Sequence, residues 1–450
     1  MKILKRLAGS QLRLNVLSGV LSTTAGFVLS IVKYPIFLNF MSYELYGIWL
    51  VLTAVLSFAQ LGLSSVSVGI VKLVSEEYGK KKLEDVEKYV ATALVILLVL
   101  GLLLLALSIL FGGVIARSIG ISGRNIQLGI TYLPFVALLS VYIFMYEIIN
   151  ATLSGLGRID IANYSQVMIQ AIPVVIAVPL FFIHVPALVS MLVAHFAAYF
   201  IITAANIFRI KSIVRLRIFK VGNVSLEHFA KLMSFSGAIF FSSLVSFLFF
   251  PFSKIVISRQ LGVQVVPVYE VAYRASYQLM TVFSAALRAL TPEISRLNSI
   301  LGEENAGKIK AINLKAYMLT IPGGAIACAV AFVLAEAIFK LWLGKNFQGD
   351  IVTCFRIMIG GTLANIVTLV PYYNLLGKGN INSLVVYHCI SPIFSMVFIF
   401  VLESVYRISL SGVALANSLG IMLGALFLIY AALRSDNKAV RRTCTGNEMI

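Results

Sequence analysis

Charge is scarce in this chain. Only 12% of its residues are Asp, Glu, Lys or Arg, against 60% hydrophobic, whereas a soluble domain carries about 25% charged residues. That excludes an ordinary soluble core and points to a polytopic membrane protein. Aspartate is rarest: Asp85, Asp160, Asp350 and Asp436 are the whole set, and each falls in an expected loop or tail. The four cysteines (Cys328, Cys354, Cys389, Cys444) lack metal-ligand or redox spacing, so they are expected to act as small hydrophobes. No Gly-rich phosphate loop, metal-ligand cluster or nucleophile–base pattern is present. His184, His195, His228 and His388 are scattered and suit loops or packing. An enzyme, a cofactor and ATP-driven transport within the chain are therefore not expected.

Positive charge is what the chain does have, with a formal net charge of +18. In a soluble protein that would suggest nucleic acid. Here it reads as basic loops held on the cytoplasmic side of a membrane, with no nucleic-acid partner. A span needs ~20 apolar residues. That rule predicts about twelve transmembrane helices, near 14–38, 45–70, 89–112, 126–151, 161–183, 186–208, 233–258, 266–291, 312–338, 351–375, 381–402 and 412–433. With the N-terminus inside, 25 of the 36 Lys and Arg residues lie in inner segments, and six lie in outer loops. Both termini are thus expected in the cytoplasm, with the chain in the inner (plasma) membrane. The basic start, Met1 to Arg6, leads into an apolar run too long for a signal peptide, so a retained first span is expected.

The expected organisation is an all-α protein of two six-helix bundles. Residues 1–208 form the first bundle, 209–232 a basic cytoplasmic connector, 233–433 the second bundle and 434–450 a cytoplasmic tail. Each half opens with a span carrying a late lysine, Lys33 or Lys254, 221 positions apart. Six spans per half make this a parallel repeat about an axis along the membrane normal.

The stretch Ser236–Arg288 organises the functional reading. A charge at the centre of a membrane helix costs roughly 3 kcal/mol even on low estimates, yet Lys254, Glu270, Arg274 and Arg288 sit in two expected spans. Glu270, Arg274, Tyr277, Thr281, Ser284 and Arg288 recur at steps of three or four, which is one face of a helix. Ser236, Ser243 and Lys254 share a face on the preceding helix. The first span has a comparable stripe: Asn15, Ser18, Ser22, Gly26, Ser30 and Lys33. Others are Thr53, Ser57, Gln60, Ser64 and Ser67; Asn163, Gln166 and Gln170; and Asn365, Thr368 and Tyr372. Stripes of small and hydroxyl residues suit helix–helix packing, whereas stripes ending in Lys or Arg suit a cavity wall. Snorkelling to the interface is the competing reading for Lys33, Lys254, Arg356 and Arg288. Cations outnumber acids within spans, so a cavity there would suit an anion such as a phosphate or pyrophosphate. The candidate substrate-binding residues are Lys33, Lys254, Arg274, Arg288 and Arg356. Glu147 and Glu270 are candidates for ion coupling or charge pairing. The in-span prolines, such as Pro35, Pro173 and Pro371, are expected as kinks or hinges.

Several short motifs carry a resemblance. Tyr46-Gly47-Ile48-Trp49 with Leu61-Gly62-Leu63 forms one. Leu153-Ser154-Gly155-Leu156-Gly157-Arg158 with Asn163 forms another. Tyr273-Arg274-Ala275, Leu290-Thr291-Pro292-Glu293-Ile294-Ser295 and Leu375-Leu376-Gly377-Lys378-Gly379 lie in the second half. Together they resemble the polysaccharide-exporting flippases (Wzx-type O-antigen and capsule transporters) of the multidrug/oligosaccharidyl-lipid/polysaccharide (MOP) superfamily. Gln60 stands where that family often has an acid, so no role for such an acid is carried over. The resemblance implies a MATE-like fold with a cationic cavity. It also implies alternating-access flipping of an undecaprenyl-pyrophosphate-linked oligosaccharide, an O-antigen, capsule or exopolysaccharide repeat unit, to the outer leaflet. Implied partners are membrane lipids, a polysaccharide polymerase and a chain-length regulator. The rivals are a multidrug exporter of the same fold, a membrane-embedded glycan polymerase or ligase, and an envelope scaffold. The exporter would favour intramembrane acids without cations. The polymerase would need a large outer loop, and Gly112–Asn125 and Lys340–Asp350 are short.

Overall fold

The structure, a computed structural model, describes residues 2–214, 223–287, 290, 294, 297, 303–405 and 408–446. Arg288 lies outside that set, as do Thr291–Glu293 and Ser295 of one motif. The side chains of Ser57, Gln60, Ser64, Ser236 and Ser243 lie outside it as well.

Twelve long helices account for the described chain. They are α1 (Lys2–Phe40), α2 (Tyr43–Gly79), α3 (Leu83–Leu110), α4 (Ile126–Gly155), α5 (Ile159–Phe182), α6 (Ala187–Ile213), α7 (Leu226–Leu261), α8 (Val266–Leu287), α9 (Glu303–Leu343), α10 (Gly349–Gly377), α11 (Ile381–Val405) and α12 (Leu410–Gly446). Each overlaps one predicted span. No strand occurs among the described residues. Nine apolar stretches among them are long and apolar enough to cross a membrane. The amphipathic α8 is not one of these, because Glu270, Arg274, Gln278 and three tyrosines dilute its hydrophobicity.

Local chemistry sets the breaks. Ser42 Oγ accepts from the Leu45 amide at 3.2 Å and caps α2, satisfying a donor that has no partner within the helix. Ser225 Oγ accepts from the His228 amide at the start of α7. Between α4 and α5, Gly157 takes φ +82°, a left-handed conformation that a side chain would strain.

The chain divides into two compact units, Met1–Phe247 with Gly262–Gln264, and Leu248–Leu261 with Val265–Ile450. The cut falls inside α7. In the first unit α4 is the central helix, packed on α2, α3 and α6, while α5 packs on α6 and α1. In the second unit α10 is central, packed on α8, α9 and α12, while α11 packs on α12. The fourth helix of six thus plays the same part in each unit, against the second, third and sixth. Small residues permit the closest approaches. A Cβ on Gly361 of α10 would lie 3.1 Å from the Ser418 Cα of α12, so these backbones touch through glycine, as packing in lipid favours.

Candidate functional site

In the second unit α7 brings Lys254 to Glu270 of α8. Lys254 Nζ lies 2.8 Å from Glu270 Oε2, and Arg274 Nε donates to Glu270 Oε1 at 2.9 Å. Side-chain exposure separates the three. Glu270 is 2% exposed and Lys254 9%, but Arg274 is 41% exposed. One carboxylate therefore holds two cations, so these three side chains together carry one formal positive charge. Burying an unpaired charge would cost several kcal/mol, so Glu270 is what lets Lys254 stay inside. One residue before each of Lys254 and Glu270, Ser253 and Tyr269 meet Asn417 of α12, which donates to Ser253 Oγ at 3.0 Å and also bonds Tyr269 Oη. This hub ties α7, α8 and α12 together around the charged group. Tyr269, Tyr273 and Tyr277 stack along α8, with ring centroids 6.2 and 6.0 Å apart and near-parallel planes. The column runs from buried Tyr269 to exposed Tyr277.

The α8 stripe changes character along its length. Ser284 is buried and bonds Tyr373 Oη at 2.8 Å, so this end of the face packs on α10. Thr281 donates to the Gln278 carbonyl. Arg356 is held elsewhere in the unit. Its Nε donates to the Phe332 carbonyl at 3.2 Å, and its guanidinium lies 5.3 Å from the Phe332 ring centre. The structure thus brings Lys254, Glu270 and Arg274 together, places Arg356 against α9, and does not describe Arg288.

In the first unit Lys33 of α1 is half-buried and lies 5.3 Å from the ring centre of its neighbour Tyr34. Glu147 sits half-buried on α4, beside Tyr146, whose ring packs edge-on against Tyr199 of α6 at 5.5 Å. No ion pair to Glu147 occurs among the described residues. The lower part of the α1 stripe is a packing face. Asn163 of α5 donates to Ser18 Oγ at 3.0 Å, and Gln170 lies against Gly26. At its N-terminal end Asn15 donates to the Gly157 carbonyl and accepts from the Asp160 amide, while Asp160 accepts from Gln11 and is ion-paired to Arg158 at 2.9 Å. The histidines cap and pack. His195 bonds the Met191 carbonyl and tilts on Trp49, and His228 bonds Ser225 and Asp85.

Sequence reasoning did not single out Asn417, nor the Gln11–Asn15–Asp160–Arg158 network. Asn417 had one signal, a lone amide in an apolar stretch. For Asp160 only the nearby Arg158 was visible in the sequence, because Gln11 and Asn15, its other partners, are about 150 residues away.

Residues 47–183 match the MatE family model. A Shigella flexneri protein named "Putative O-antigen transporter" is 22% identical over 202 residues, 44% of this chain and 46% of that protein. The match thus spans a little under half of that relative's length. Two solved structures cover nearly the whole chain. An inward-facing multidrug resistance MATE family transporter of the MOP superfamily has a TM-score of 0.79 at 15% identity, over 93% of this chain and 96% of its own. The lipid II flippase MurJ, in an inward closed conformation, has a TM-score of 0.73 at 16% identity, over 95% and 89%. The chain has the fold of these transporters and is a multi-pass membrane protein.

Proposed function

We propose that this transporter-fold protein flips an undecaprenyl-pyrophosphate-linked oligosaccharide from the cytoplasmic to the outer leaflet of the inner (plasma) membrane, with both termini cytoplasmic. The observation that carries the reading is the Lys254–Glu270–Arg274 group, net positive, with the arginine exposed at its edge. Guanidinium suits a phosphate because its planar fork can donate two hydrogen bonds to one oxyanion. The lipid tail would stay in the bilayer while the head is held by cations, with Lys33, Arg288 and Arg356 further contributors. An inside-negative potential favours outward movement of an anion by ~2.3 kcal/mol per charge per 100 mV. The Shigella relative's name and the MurJ fold support a glycan-lipid substrate. Glu147 is the candidate for ion coupling, and a polysaccharide polymerase and chain-length regulator are the proposed partners.

Deleting the gene in its native host should stop surface glycan and accumulate the lipid-linked repeat unit, and complementation should restore it. Normal surface glycan in the deletion strain would end the reading. The second reading is export of a small molecule, favoured by the TM-score of 0.79 to a multidrug transporter. It predicts altered drug susceptibility in the deletion strain with unchanged glycan.

A further inference from the structure

A second basic feature lies in the first unit. Lys72 and Leu73 of α2, with Ala230, Lys231 and Ser234 of α7, line a groove of about 560 Å³. Lys72 precedes the end of α2 at Gly79 by seven residues, and Lys231 follows the start of α7 at Leu226 by five. At ~1.5 Å per residue the groove lies ~8–10 Å from the helix ends, and Lys72 and Lys231 each fall two residues outside the expected spans 45–70 and 233–258. The turn after α2 adds Lys80, Lys81 and Lys82 at the same end.

The walls select the ligand class. Two ammonium groups and the Ser234 hydroxyl suit phosphate oxygens. Leu73 and Ala230 give the groove apolar surface, and Leu226 and Phe229 on the same stretch of α7 are exposed. A free phosphate would gain nothing from those side chains, whereas a molecule joining a phosphate to hydrocarbon uses both. Basic pockets between membrane helices bind anionic lipid heads on these grounds. Both lysines have acidic neighbours, Lys231 with Glu227 at 2.8 Å and Lys72 with Glu76 at 3.8 Å. Both pairs are open to solvent, and exposed pairs of this kind contribute little, so a phosphate can replace the carboxylates.

We infer that the Lys72–Lys231–Ser234 groove is a binding site for the phosphate head of an anionic phospholipid. The site is independent of the transported substrate.

Native mass spectrometry of the full-length protein, titrated with phosphatidylglycerol or phosphatidylcholine, tests it. Wild type should prefer phosphatidylglycerol. Lys72→Gln/Lys231→Gln should lose affinity for it by about 30-fold, which is about 2 kcal/mol at tenfold per 1.4 kcal/mol and about 1 kcal/mol per lysine. Lys308→Gln/Lys310→Gln removes the same charge elsewhere and should leave affinity unchanged. A far-ultraviolet melt of each variant reports folding, and Lys72→Arg/Lys231→Arg should retain binding if the double glutamine variant unfolds. Three results would overturn the inference: no preference between the lipids in wild type, equal loss in both double variants, or displacement of phosphatidylglycerol by millimolar inorganic pyrophosphate, which would assign the groove to a free anion.

Discussion

Removing Glu270 and removing Arg274 have different physical consequences. Glu270→Gln takes from buried Lys254 the carboxylate 2.8 Å away, a loss of about 3–5 kcal/mol, and membrane abundance should fall. Arg274→Gln leaves the Lys254–Glu270 pair at 2.8 Å intact, so abundance should hold while export drops. Immunoblots of membranes beside surface-glycan assays separate the two, and normal export at normal abundance in Arg274→Gln would remove its substrate role. Exchanging the two residues should fail for a reason specific to this geometry: an arginine at position 270 would face Lys254. Glu147→Gln breaks no described ion pair, so abundance should be unchanged. If Glu147 couples an ion, the variant's transport should no longer respond to an imposed pH gradient, and an unaltered response would exclude that role. The Glu270–Arg274 pair was legible in the sequence, because i,i+4 spacing puts both on one helix face. The approach of Lys254 was not, since it depends on how α7 packs on α8. Ser284 shows the limit of a stripe. The spacing put it on the same face as Arg274, but that face meets Tyr373 of α10 at one end.

At the scale of elements, the N-terminal part of α1 is fastened to the turn between α4 and α5. Asn15 and Gln11 reach the Gly157 carbonyl, the Asp160 amide and the Asp160 carboxylate. Each such hydrogen bond contributes about 0.5–1.5 kcal/mol, more where a charge takes part. Asp160→Ala should therefore loosen α1 from α5. A Ser18→Cys/Asn163→Cys pair, placed where the native side chains are 3.0 Å apart, should cross-link readily under mild oxidation, and less with Asp160→Ala added. Unchanged cross-linking would show that apolar packing alone holds the helix. Twelve helices were legible because each is a long run between polar breaks, apolar in most and amphipathic in α8. The packing role of the α1 and α5 stripes was legible only as one of two readings. Asn15, Ser18 and Asn163 are residue types that serve a cavity wall and a helix crossing equally well, and only the neighbouring helix distinguishes them.

For the whole molecule, basic residues segregate so strongly that one orientation is expected. Reporters active only in the cytoplasm should work when fused at Gly222 and Ile450 and fail at Gly123 and Gly344. Activity at either of the last two would reverse the topology and the direction of transport with it. The helix pairings that recur in the two units, with α4 and α10 at their centres, fit a chain built by repetition. No residue motif announced the expected repeat, which rested on the order of spans and the two late lysines. The substrate rests on charge at one site, so the decisive experiment isolates that site from the cell. Purified protein in proteoliposomes, loaded with a polyprenyl-pyrophosphate-linked oligosaccharide and polarised with valinomycin and potassium, is assayed for appearance of the glycan in the opposite leaflet by a membrane-impermeant glycosidase. Wild type should translocate the glycan lipid and respond to the potential. Arg274→Gln should be slower by about 10- to 100-fold, the range for losing a charge-assisted hydrogen bond. Translocation by Arg274→Gln at the wild-type rate, or by wild type no faster than protein-free vesicles, would contradict the account.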